Sequence, residues 1–143
     1  FKVEDGAIPI NFKGEWVKGG VIRQWMPVYS ASGAMTYTSV TTTMAIYLQL
    51  GKAVFFTLRA TGTTGGAAST SIYASLPTEP GEPDTAFRNI WCAAGHIDTA
   101  GYTAGPGIVS AINRNVIFQV QGGGNWGLGA GRLITATGLY LIK

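Results

Sequence analysis

Four groups of residues in this 143-residue chain have types and spacings that could do chemistry. Gly122-x-Gly124-x-x-Gly127 matches the spacing of a dinucleotide fingerprint. That chemistry requires a strand before the glycines and a helix after them, so that the helix N-terminus meets a pyrophosphate. Here the motif leads instead into more glycine (Gly129, Gly131) and then a run of period two. The expectation is therefore a turned loop, in which glycine supplies positive φ. Trp126 sits inside that loop with Asn125 beside it. An aromatic face with a neighbouring amide suits a sugar, the ring packing on C–H groups and the amide bonding hydroxyls. Packing in the core or against another subunit accounts for the ring equally well. Trp126, Asn125 and Tyr102 form the candidate ligand site, with the ring turned outward by its glycines.

Cys92 and His96 share one strand face, but i, i+4 on a strand spans ~13 Å, too far for one metal ion. His96 reads as a structural histidine. Glu79 and Glu82 lie in a proline-broken segment, Pro77–Pro83, and Asp84 follows it directly. Carboxylates suit a hard cation, and two of them ~5–10 Å apart in a cleft suit glycoside hydrolysis. A solvated acidic loop is the simpler reading. No catalytic residue, metal site or cofactor is expected, and the chain reads as a non-enzyme.

The elements that position these groups are set by composition. Thr, Ile and Val number 16, 12 and 9 against 8 Leu. Branched side chains lose χ1 freedom in helices and pack well on pleated surfaces, so sheet is favoured. Thr41–Leu50 and Ala53–Ala60 alternate around Gly51-Lys52, the pattern of a hairpin. Ser69–Leu76, Phe87–Asp98, Ile108–Ile112, Asn115–Gln121 and Arg132–Lys143 read as further strands, and Arg23–Tyr29 as an edge strand limited by Pro27. Gly62–Gly66 and Gly101–Gly107 read as glycine-rich loops. The sum is an all-β fold of eight or nine antiparallel strands, a sandwich of jelly-roll type. Residues 1–20 read as an N-terminal arm, with residues 21–143 as the β domain. Trp16 and Trp25 are expected to pack on a partner or a preceding stalk, and Trp91 in a core or an interface.

Charged residues make up 12% of the chain, about half the usual ~25%. They are scattered singly, so no basic stripe points to nucleic acid. No apolar run is long enough for a membrane helix. One cysteine excludes an intrachain disulfide and fits folding in a reducing cytosol. The start at Phe1 reads as part of a longer chain. Strands Met44–Leu50, Ala53–Leu58 and Ile90–Ile97 are apolar on both faces. A two-sheet sandwich covers only inner faces, so a homo-oligomer is expected.

One set of motifs carries a family resemblance. Tyr47-x3-Gly51-Lys52-x-Val54-x-Phe56, Gly62-Thr63-Thr64-Gly65-Gly66, Ile72-x3-Leu76-Pro77 and Gly138-x-Tyr140-x-Ile142 stand in order. Together they resemble the C-terminal β-sandwich domains of tailed-bacteriophage tail-fibre, head-fibre and virion appendage proteins. The resemblance spans about residues 36–77 and 132–143, mostly turn and core positions. It implies a homotrimeric knob in a virion, assembled in the host bacterial cytoplasm. The partners implied are other virion proteins and a host-surface carbohydrate, without nucleic acid or membrane insertion. Two functions stand as expectations: a receptor-binding fibre tip for a surface glycan, or a capsid or appendage cementing module with no external ligand. The segments 78–86, 98–107 and 122–131 separate them. Recognition predicts aromatics and amides at one distal end.

Overall fold

A computed structural model describes residues 9–12, 15–18, 20–87, 89–99 and 101–143. In the arm, β1 (Pro9–Phe12) and β2 (Glu15–Lys18) pair as an antiparallel hairpin. Trp16's side chain and the arm's expected part in assembly lie outside what is described.

The rest is one antiparallel sheet. Its strands are β3 (Ile22–Gln24), β4 (Tyr29–Ala31), β5 (Met35–Leu50), β6 (Ala53–Gly66) and β7 (Ser71–Ser75). They continue with β8 (Asn89–Ile97), β9 (Tyr102–Ser110), β10 (Asn115–Gln119) and β11 (Gly129–Leu141). The order across the sheet is β3-β5-β6-β11-β8-β9-β10-β7-β4. The expected all-β antiparallel character holds, but two packed sheets do not form. The sheet is continuous and curls into a half-barrel.

The cause lies in one short ribbon. β3 and β4 occupy opposite edges of the sheet yet are four residues apart in sequence. Trp25 N donates to Ala45 O of β5 at 3.1 Å, whereas Ser75 N of β7 donates to Val28 O at 2.9 Å. Pro27 has no N–H, which suits the crossing point, where no ladder can form. The ribbon thus draws the two edges towards one another. Trp25 belongs to this closure and not to a partner or stalk as expected. Its ring meets Tyr47 and Phe56 edge-on at 6.3 and 6.4 Å, and Nε1 donates to Ser75 O at 3.1 Å.

Curling gives the sheet one inner face, and the core fills it. Tyr37, Tyr47, Val54, Phe56, Leu58, Ile72, Val116, Phe118, Ile134 and Tyr140 alternate inward along their strands. The buried tyrosines keep their hydroxyls satisfied. Tyr37 donates to Arg132 O at 2.8 Å, Tyr140 to Pro77 O at 3.2 Å and Tyr47 to Glu79 Oε2 at 2.6 Å. Burial pushes Tyr37 and Tyr140 well above the usual phenol range, and burial plus the Glu79 carboxylate pushes Tyr47 up to about 12.

Both expected glycine loops are strand. Gly62–Gly66 continues β6, with Thr63–Gly66 paired to Met35–Thr38 and Gly62 to Arg132, and Gly101–Gly107 lies largely in β9. Glycine serves there as a flat surface. A Cβ at Gly62 would strike the Tyr37 ring, and one at Gly107 would strike Cys92 and Ala94.

Candidate functional site

The segments 78–86, 98–107 and 122–131 divide between the two ends of the half-barrel. Residues 78–86 sit at one end, where Asp84 N donates to Leu141 O at 2.8 Å and Lys143 N to Glu82 O at 3.1 Å. Asp98 and Thr99 meet residues 122–131 at the other, where Asp98 Oδ1 accepts from Gly127 N at 2.7 Å.

Local chemistry holds the 122–131 segment closely. Gly122, Gly123, Gly129 and Gly131 adopt left-handed φ of +87°, +81°, +127° and +77°, a conformation that favours glycine. The Arg132 guanidinium then gathers three carbonyls: Gly127 O at 2.9 Å, Leu128 O at 2.7 Å and Ala130 O at 3.2 Å. Its Nε also lies 3.4 Å from Asp98 Oδ1, both side chains being largely buried. Thr64 Oγ1 donates to Gly127 O at 2.6 Å. Sequence reasoning missed this Asp98–Arg132–Thr64 clasp. Its only signals are one acid and one base flanking two glycine-rich segments.

The clasp presses Trp126 inward. Its ring is fully buried, its backbone N–H donates to Ser69 O at 2.8 Å, and Nε1 reaches Phe118 O at 3.4 Å. The expectation of an outward-turned ring is corrected. The glycines fold the loop back over the barrel mouth, so Trp126 plugs the core. His96 lies against it, ring centroids 5.1 Å apart at 61°. The imidazole is wedged over Gly105, where a Cβ would come within 2.6 Å of Nδ1. Burial lowers the His96 pKa, and the nearby Asp98 charge partly opposes this. Of the other two candidate residues, Asn125 is exposed, and Tyr102 is 63% exposed at the start of β9 with its hydroxyl over Gly95. The structure therefore leaves two polar tips at this end without an aromatic platform at Trp126.

The remaining groups have structural occupations. Glu79 accepts from Tyr47 and lies 3.6 Å from Arg23. Glu82 accepts from Arg114 at 2.6 Å and Lys143 at 3.0 Å, and these contacts, Lys143's first, hold its carboxyl below the usual range. Asp84 Oδ1 caps Ala86 N at 2.9 Å. Burial pushes the Cys92 thiol up to about 11, the opposite of an activated nucleophile. Among the described residues, no three His, Cys, Asp or Glu side chains converge as metal ligands. The Gly122–Gly127 spacing runs into strand β11, so no helix N-terminus faces it. Two clefts, of about 730 and 440 Å³, flank the Trp25 ribbon and share Gln24, Trp25 and Met26.

Large apolar side chains also stand exposed on the outer face of the sheet. Phe55, Trp91 and Leu139 do so within strands and Ile22 from the edge strand, while Met26, Val28, Phe87, Ile112 and Leu128 are exposed in connecting segments. Comparison with protein-family models, curated proteins and solved structures gives no match for this chain.

Proposed function

We propose that the chain is a non-catalytic structural module, built into a larger assembly through the outer face of its sheet. The observation that supports this is the apolar content of that face. The loop tryptophan is sealed into the core, while Phe55, Trp91 and Leu139 stand exposed on neighbouring hydrogen-bonded strands of one sheet. Receptor sites collect on loops around converging polar groups. Exposed apolar surface on a regular scaffold is characteristic of an interface between proteins. Of the two expectations from the sequence, the cementing or decoration module is the one this arrangement favours. Its setting in a virion appendage rests on the resemblance carried by Tyr47–Phe56, Ile72–Pro77 and Gly138–Ile142.

The test contrasts loops with sheet. The whole chain is applied to a glycan array and to bacterial cells, beside Tyr102→Ala and Asn125→Ala. The module reading expects no glycan retention and no difference among the three proteins. Retention of a defined glycan by the parent chain, lost in either variant, would reinstate the receptor-binding tip.

A further inference from the structure

The cross-strand register arranges the outer apolar residues in rows. Ile22 pairs with Leu48, Leu48 with Phe55 and Phe55 with Leu139, a straight row over β3, β5, β6 and β11. The next row on the same face runs Gln24, Ile46, Thr57, Thr137 and Ala93. Trp91 lies two residues along β8 from Ala93, on the same face and towards the Leu139 end. From Trp91 the first row goes on through Ile108 and Ile117. None of these side chains is ionisable, and Arg59 enters only in the row beyond, opposite Met44. A charge-free centre with charge at the rim is the composition of a protein interface core.

The rows also have relief. A hollow of about 160 Å³ is lined by Ile22, Ile46, Leu48, Phe55, Thr57 and Thr137. The hollow is open to solvent, a shallow depression on the sheet face. Beside it stands Trp91, 72% exposed in β8, an aromatic knob that can pack its ring on the apolar lining.

We propose that this face is covered by a second copy of the chain, with Trp91 of one copy seated in the Ile22–Ile46–Leu48–Phe55–Thr57–Thr137 hollow of another. Area supports a second copy as the occupant. Ile22, Phe55, Leu139 and Trp91 are 66%, 43%, 38% and 72% exposed. With ~200 Å² for each fully open side chain, and the half-buried Ile46, Leu48, Ile108 and Ile117 added, the band offers roughly 600 Å². Two such bands bury about 1,200 Å² together, which reaches the range of stable specific interfaces. Knob and hollow lie on one face, so the contact is self-complementary and closes with few copies.

This inference rests on the structural-module reading and names its partner. Sedimentation of the whole chain at micromolar concentration is expected to show a closed oligomer. Trp91→Ala removes the knob, and Thr57→Arg puts a charged side chain into the hollow. Each is expected to weaken association roughly thirtyfold or more, the scale of a buried tryptophan anchor, and to leave near-UV circular dichroism unchanged. A parent chain that stays at 15.0 kDa overturns the proposal. So does an oligomer that survives both substitutions. A monomer that retains no glycan overturns the self-contact alone and leaves the module reading to a different protein partner. Glycan binding through Tyr102 or Asn125 removes that reading, whatever the mass.

Discussion

Trp126 and Trp91 occupy opposite kinds of sequence and end in opposite places. Trp126 is surrounded by glycines in an irregular segment, and it is fully buried. Trp91 sits in a regular strand among Ile90, Cys92, Ala93 and Ala94, and it is among the most exposed large apolar residues. A side chain's burial depends on which surface its backbone finally lies against. The glycine segment is pulled across the barrel mouth by Arg132, Asp98 and Thr64. The regular strand has a covered inner face and an open outer one, and Trp91 falls on the outer.

The contrast is sharpest in a pair of alanine substitutions. Trp126→Ala is expected to cost ~3–5 kcal/mol, the range for a buried aromatic. Trp91→Ala is expected to change the stability of the isolated chain by no more than ~0.5 kcal/mol. Urea denaturation of the two variants under monomeric conditions reads the difference. Equal losses would erase the distinction between plug and knob.

The clasp comes next in size. Arg132→Ala removes the largely buried ion-pair partner of Asp98 and the guanidinium that gathers three backbone carbonyls, while Gly127 N still donates to Asp98 and Thr64 to Gly127 O. A loss of ~2–3 kcal/mol is expected, short of the full cost of breaking a completely buried pair. Limited proteolysis should then cut within 122–131 faster than in the parent chain. Unchanged resistance would show that Trp126 alone holds the segment down.

Gly105 tests the support beneath the plug. Gly105→Ala sets a methyl group against the His96 imidazole and is expected to cost ~1–3 kcal/mol by overpacking. Pairing it with Trp126→Ala should give less than the sum of the two losses, because the imidazole can then move into the vacated space. Strict additivity would separate His96 from the plug.

The smallest expected effect is a pH slope. His96 has a folded pKa below its ordinary value of 6.5, set by burial. The unfolded chain therefore takes up the proton first. This group's contribution is complete above pH ~6.5 and is lost as pH falls from there towards the folded pKa. The thermal midpoint should decline between pH 7 and 5.5, and His96→Phe should flatten that decline. A slope that persists in the variant would place its origin in another group.

Much of the fold was legible in the residues. Period-two alternation in Thr41–Leu50, Ala53–Ala60 and Asn115–Gln121 identified strands at the right places, and Gly51, at φ +57°, makes the expected hairpin turn. The glycine-rich strands were not legible. Gly62 and Gly107 read locally as loop, yet they are flat because Tyr37 and Cys92 lie across them from distant parts of the chain. The candidate site was legible only as a set of residue types. Asn125 is exposed in its loop and Tyr102 at the start of β9, but nothing near Trp126 in sequence announces the carbonyl-gathering role of Arg132.

Composition and alternation by themselves determined that this chain forms antiparallel sheet with two apolar faces, since branched side chains and period two are local properties. Which face becomes the core was decided only by tertiary structure. The Ile22–Ala31 ribbon hydrogen-bonds to β5 on one side and β7 on the other, and curling the sheet gives it one inside. That curvature buries Phe56, Tyr140 and Trp126, and it leaves Phe55, Leu139 and Trp91 on the convex side. The sign of curvature depends on long-range pairing between strands far apart in sequence, which no local pattern encodes.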